Sequence, residues 1–180
     1  SEMFGNNPRY RLHACLWNHF LKPEDQLAAV SQCLGGKKFW NMEFIGWTPQ
    51  NSAFNDIVCS TNIVISMSGG EGFDIPVFSA CALGKHVLAL NAHVHKDYLT
   101  EENAVLVSPS GLMDVYDGVF FYPGQSYNQG QFYDFAESDF KEGMNLVLKR
   151  YESNPVNQPG FKLQEKTYSQ TLDTILEELK

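Results

Sequence analysis

The feature that most constrains this chain is a β-favouring run that empties directly into glycines. Residues 61–67 read TNIVISM, with Ile63-Val64-Ile65 at their centre, and Ser68-Gly69-Gly70-Glu71-Gly72-Phe73-Asp74 follow without a break. Residues 75–83 (IPVFSACAL) then have helical character and stop at Gly84. In an open parallel sheet, ligands gather at the carboxyl ends of strands, where a loop turns into a helix. Glycines at 69, 70 and 72 let the backbone approach a ligand closely, and the amides at the following helix start suit a diphosphate. Glu71 is an acid in the same loop, placed to accept hydrogen bonds from sugar or ribose hydroxyls. The same residues also suit a tight turn with a solvated Glu71, because a lone Gly-rich loop is a weak motif.

The rest of the chain reads as alternating strands and helices. Residues 10–17 (YRLHACLW) predict a first strand. A helix follows, with Pro23 in its first turn, Glu24 and Asp25 facing its positive end, and Leu27, Val30, Cys33 and Leu34 at helical spacing before Gly35-Gly36. Residues 42–47 (MEFIGW) predict a short strand, and residues 57–67 carry the strongest strand signal of the sequence. Residues 86–90 (HVLAL) and 104–107 (AVLV) predict two more strands. Residues 111–134, rich in aromatics and glycine without a clear period, read as a long loop packed on the core or facing a partner. Two amphipathic helices follow, one through Phe140, Met144, Val147, Leu148 and Tyr151, the other through Leu172, Ile175, Leu176 and Leu179, parted by residues 154–160 (NPVNQPG). Strands separated by helices mean βαβ units. The expectation is one α/β domain over residues 1–180, a Rossmann-like three-layer domain with a mostly parallel sheet.

Composition narrows the class of partner. Of 180 residues, 43% are hydrophobic and 19% charged, a globular balance. No apolar run approaches the ~18–20 residues of a membrane span. The 13 Lys and Arg against 21 Asp and Glu give a net charge of −8, which argues against nucleic acid as a main partner, since that affinity rests on clustered cations. Cys15, Cys33, Cys59 and Cys81 form no C-x-x-C pair and lie among apolar neighbours. They are expected to be reduced and buried, and with no charged-then-apolar leader at the start the expected location is cytoplasmic.

The residues around the Gly-rich loop resemble a known family. Ser68-Gly69-Gly70-Glu71-Gly72-Phe73-Asp74-Ile75-Pro76, followed by Ala80-Cys81-Ala82-Leu83-Gly84-Lys85-His86-Val87-Leu88-Ala89-Leu90, is similar to the nucleotide-sugar half of retaining GT-B glycosyltransferases. That half reads S-x-x-E-G-F-G-x-P-x-x-E-A-x-A-x-G-x-P-V-V-A at this place. Phe44-Ile45-Gly46-Trp47 resembles the family's F-x-G strand, residues 104–109 its G-x-L-V-x-P strand, and Tyr168-Ser169-Gln170 the Y-S-W opening of its last helix. The resemblance implies the C-terminal half of a GT-B enzyme, using a nucleotide-sugar donor without a metal or other cofactor. A second domain or subunit would supply the acceptor. It also implies that Glu71, the first acid of the family's E-x7-E pair, lies near the donor sugar as the catalytic-site acid. Gly70 and Gly72 would let the loop approach the sugar, and Phe73 matches the family's aromatic.

Four departures bear on that reading. The second acid of the pair is Ser79, which can still bond a ribose hydroxyl but neutrally and with less reach. Asp74 replaces a glycine. Of the two N-terminal cations that neutralise the leaving diphosphate only Lys22 fits, and no Arg matches the other. The stretch before Met42 is short by one strand–helix unit. His95, in His93-Val94-His95-Lys96, falls near the family's loop facing the donor sugar and is a further candidate contact; the His-x-His pair alone is a poor metal site. The alternative of a different class is a non-catalytic GT-B-like binding or scaffold module. A nicotinamide-type Rossmann domain fits less well, because no G-x-G-x-x-G follows the first strand.

Overall fold

The computed structural model describes residues 3–18, 20–116 and 120–179; His19, left unassigned by the sequence, lies outside them. The chain divides into two compact units, Ser1–Phe54 and Asn55–Lys180.

In the N-terminal unit two parallel strands, β1 (Leu12–Cys15) and β2 (Met42–Ile45), pair with Leu12 opposite Met42 and Cys15 opposite Ile45. Helix α1 (Pro23–Cys33) connects them. It starts and stops as its residues dictate, with Pro23 in the first turn and Gly35 and Gly36 at φ +59° and +71°, a left-handed backbone that glycine adopts without strain. The one buried residue among those described in this unit is polar. Asn41 donates from Nδ2 to the carbonyls of Phe4, Asn7 and Tyr10 at 3.0–3.2 Å and accepts from the Asn6 amide at 3.1 Å.

Helix α2 (Asn51–Ser60) spans the division and corrects the strand expected from residue 57. Ala53, Phe54, Ile57 and Val58 recur at helical spacing, and the Ser60 and Thr61 hydroxyls close the helix on the Ile57 carbonyl. The strand starts only at Ile63.

In the C-terminal unit β3 (Ile63–Ser66), β4 (His86–Leu90) and β5 (Val105–Val107) form a parallel sheet in the order β3-β4-β5. Helix α3 (Ile75–Ala82) joins β3 to β4, and the single turn α4 (His95–Tyr98) lies between β4 and β5. Every residue of β4 is buried. Its side chains alternate as a strand must. Val87 and Ala89 join Val77 and Cys81 of α3 with Tyr98, Leu99 and Leu163 in one core. Leu88 instead meets helix α5 (Glu137–Ser153), whose Gly143 has no room for a Cβ beside Leu88 and Val107. A 3-10 stretch, Gln158–Glu165, packs Gly160 against the Cys81 carbonyl, and α6 (Tyr168–Glu178) follows a Thr167–Gln170 capping box with no buried residue. The class is therefore α/β with small parallel sheets.

Two further expectations need correction. Residues 111–134 are not a structureless loop: β6 (Gly111–Asp114) and β7 (Gln131–Asp134) pair antiparallel with Gly111 opposite Asp134. The adjacent Phe132 and Tyr133 of β7 hid the alternation. Of the four cysteines, all free, only Cys81 is buried, while Cys15, Cys33 and Cys59 are exposed. Burial pushes the Cys81 thiol up to about 11, against a hydrogen bond from Asn157.

Candidate functional site

The Gly-rich loop leaves the carboxyl end of β3 and enters α3 through Asp74, and each end is fixed by polar contacts. At the near end the Gly69 carbonyl accepts the Tyr133 amide of β7 at 3.0 Å and also bonds the Nε2 of His93. Only glycine fits there, because a Cβ would run into the Tyr133 carbonyl and the Phe132 ring. At the far end Asp74 adopts φ +54° and ψ +63°, a left-handed conformation that Asp tolerates better than most residues, and caps α3 by accepting the Val77 amide at Oδ1, 3.3 Å.

The other carboxylate oxygen of Asp74 accepts the Ser66 hydroxyl at 2.6 Å and faces His95 Nε2 at 2.9 Å. The His95 Nδ1 donates to the Leu90 carbonyl, 2.9 Å away. The two side chains are 8% and 1% exposed. With one ring nitrogen donating to a carbonyl and the other to a carboxylate, His95 is an imidazolium. Burial works against both charges. For Asp74 it is outweighed by the bonds from His95, Ser66 and Val77, which hold the carboxyl below its ordinary value. For His95 it is outweighed by the bonds to Asp74 and Leu90, which raise the imidazolium above its ordinary value. The positive end of α3 thus meets a carboxylate from its own chain, and that charge is balanced by His95.

Between these anchors the loop is open. Gly70, Glu71, Gly72 and Phe73 are exposed. Among the described residues no hydrogen bond or ion pair engages the Glu71 carboxylate or the amides of residues 70–73. A Cβ at Gly72 would meet nothing within 4 Å. The Phe73 ring is half exposed and leans on Phe78 at 5.2 Å and Tyr98 at 5.6 Å, while the Tyr98 hydroxyl donates to the Phe73 carbonyl at 3.0 Å. Burial, with the Asp74 charge, raises the Tyr98 phenol well above its ordinary value, so it stays a donor. Such a loop can offer backbone donors, one free carboxylate and an aromatic face to a hydroxyl-rich or phosphorylated ligand.

The candidates of the sequence separate on this geometry. Gly70, Glu71, Gly72 and Phe73 share the open loop. Ser79 lies half-buried on the next turn of α3, its hydroxyl unengaged among the described residues. His95 is buried beneath the loop with both ring nitrogens taken, and so holds Asp74 rather than facing outward. Lys22 is exposed at the start of α1 in the N-terminal unit. His93 and the β7 edge were missed as neighbours of the loop; the dense aromatics of residues 111–134 were the available signal. Among the described residues no three His, Cys, Asp or Glu side chains gather to hold a metal.

Two clefts lie elsewhere. One of about 360 Å³ opens at the amino ends of β4 and β5, beside His86, Ala104 and Arg150. Two of its polar side chains serve the fold: Arg150 donates to the Ala104 carbonyl at 2.8 Å, and Asn157 to the Asn103 and Lys85 carbonyls at 2.7 and 3.0 Å. The other, about 200 Å³, sits at the carboxyl ends of β1 and β2 in the N-terminal unit, between Trp17, Trp47 and Phe54. Faces of that kind stack on a base or a sugar ring.

No protein-family model matches the chain, and no curated protein matches it significantly. What fold and geometry define is an α/β protein with an open Gly-rich loop at the carboxyl end of a parallel strand. No helix among the described residues is long and apolar enough to cross a membrane.

Proposed function

We propose that the chain is the donor-binding half of a GT-B glycosyltransferase with a Rossmann-like fold. In this reading a sugar passes from a nucleotide-sugar to an acceptor held by a second domain or subunit, with no metal or other cofactor needed and the cytoplasm as its place of action. The observation that carries it is Glu71, an unengaged carboxylate on an exposed Gly-rich loop between a parallel strand and its helix. Ligands bind at such a place, and a free acid there accepts sugar hydroxyls. The aspartate that replaces the family's glycine is compatible with this role. Its backbone has the positive φ that favours glycine, and its charge is matched by His95 away from the open face.

Glu71 holds the donor sugar in this scheme, the open amides of Gly70 and Gly72 meet its oxygens, and Ser79 bonds the ribose. Charge placed where the leaving group develops is the chief help such chemistry needs; the resemblance assigns that task to Lys22, which belongs to the N-terminal unit. The second reading is a non-catalytic module of the same ancestry, favoured by one observation: Asp74 already fills the positive end of α3, leaving less of it for a diphosphate.

Calorimetric titration with UDP, GDP, ADP and their sugar conjugates separates the two. The expected result is saturable binding of one nucleotide-sugar, weakened about tenfold or more in Glu71→Ala, the loss expected when a charged hydrogen-bonding partner is removed. Equal affinity in the variant removes Glu71 from the site. No binding at millimolar ligand leaves the non-catalytic module.

A further inference from the structure

The hairpin of β6 and β7 reaches the loop at one point, the Gly69 carbonyl, and that contact has a consequence one atom further along. Two donors from different segments converge there: the Tyr133 amide at 3.0 Å and the His93 ring. His93 reaches it from a left-handed backbone at φ +48°, between β4 and α4. Its ring is set edge-on to Tyr133, 4.8 Å between centroids, and Lys96 Nζ stands 5.9 Å from the same Tyr133 ring. A carbonyl held from two sides cannot rotate freely. Because a trans peptide is planar, with its C=O and N–H on opposite sides, fixing the Gly69 carbonyl also fixes the direction of the Gly70 N–H. That N–H turns away from the hairpin on an exposed residue, and no acceptor pairs with it among the described residues.

We propose that His93 is a positioning residue: together with the Tyr133 amide it locks the Gly69–Gly70 peptide so that the Gly70 N–H is presented to an oxygen of the ligand's diphosphate. This rests on the donor-site reading above. The amide in question lies well ahead of the first turn of α3, whose own amide at Val77 is already taken by Asp74. It answers a need that reading leaves, because an anion cannot use an N–H that Asp74 occupies. Either the neutral tautomer protonated at Nε2 or the imidazolium makes the bond, so the role asks for a donor at that atom rather than for a charge. A glutamine amide meets the same requirement and a leucine does not.

The test uses the whole chain, titrated with UDP, GDP, ADP and inorganic pyrophosphate by calorimetry and by amide NMR, in the native protein, His93→Gln and His93→Leu. Expected are a shifted Gly70 amide on ligand addition in the native protein, affinity within about threefold of native in His93→Gln, and a loss of about tenfold in His93→Leu, the worth of one well-aimed hydrogen bond. Thermal midpoints of both variants, measured without ligand, should stay close to the native one, since a purely structural His93 would lower both. Native-like affinity in His93→Leu overturns the proposal, as does a Gly70 amide that bound ligand leaves unmoved; in either case the donor site itself stands. A native protein that binds none of the four probes overturns the donor-site reading and this proposal with it.

Discussion

The two units are organised by opposite means. The N-terminal unit has a single buried residue among those described, and that residue is a polar hub, Asn41, tying the carbonyls of Phe4, Asn7 and Tyr10. Its helix α1 buries nothing, and Leu27 on that helix is 62% exposed. The C-terminal unit is built on β4, buried end to end and covered by α3 on one face and α5 on the other. It too has a polar knot, Asp74 with His95, but that knot sits against an apolar core. The lesson is that a polar contact has no fixed worth. Near solvent, a lost hydrogen bond is largely replaced by water; in a dry surround, a charge left alone has nowhere to go. The candidate loop hangs from the second kind of knot, so its shape is stiff at Asp74 while its exposed centre stays free for a ligand.

The sharpest way to break this comparison is Asp74→Ala. It leaves the His95 imidazolium buried without its partner and removes the cap of α3, for an expected loss of about 3–5 kcal/mol. Denaturant unfolding followed by circular dichroism measures it. A loss under about 1 kcal/mol would mean that water reaches His95 and that the knot resembles Asn41.

Next in size is a matched pair. Leu88→Ala opens a cavity between β4 and α5 and is expected to destabilise by about 2–5 kcal/mol. Asn41→Ala is expected to cost about 1–3 kcal/mol, because the carbonyls it abandons lie close to solvent. The two are readable apart, since Trp17, Trp40 and Trp47, all three tryptophans of the chain, belong to the N-terminal unit. Asn41→Ala should move the fluorescence transition most, and Leu88→Ala the circular dichroism transition. Equal shifts of both signals by both variants would erase the distinction.

Legibility in the sequence follows the same line. Where an element's residues meet one environment, their pattern was readable: Pro23 and Gly35-Gly36 bounded α1, the continuous apolar run of residues 86–90 gave β4, and Gly84 stopped α3 at φ +73°. Helix α2 was obscured because its apolar residues run into those of β3, so two periods read as one. The β6–β7 hairpin was obscured because its strands are short, because β7 carries the adjacent aromatics Phe132 and Tyr133 on opposite faces, and because the anchor of Tyr133, Gly69, lies over sixty residues away in sequence. The open loop residues of the candidate site were found because glycines and an acid after a strand have few local meanings. The setting of His95 was not, because a histidine's role depends on what its two nitrogens face, and Asp74 and Leu90 are brought to it only by the fold.

The smallest effect expected is also the most specific to the buried knot: the pH dependence of its stability. Asp74 has a folded value below its ordinary one, so its contribution is present above the ordinary carboxylate pKa and fades as pH falls through the lowered value. His95 has a folded value above its ordinary one, so its contribution is complete below about pH 6.5 and fades as pH rises through the raised value. Between the two lies a plateau. Neighbouring charges act in the same sense, for Asp74 and Glu71 both favour the His95 imidazolium, while the Tyr98 ring 6.2 Å away stays neutral. Losing the proton leaves the packing in place, so the alkaline decline is gentler than any truncation. The check is unfolding free energy against pH from 6 upward in the native protein and in His95→Gln, which still donates to Asp74 but cannot titrate. The variant should start lower and run flatter across the alkaline window. Parallel curves would assign the native decline to another group and leave Asp74 and His95 paired by geometry without a titrating proton between them.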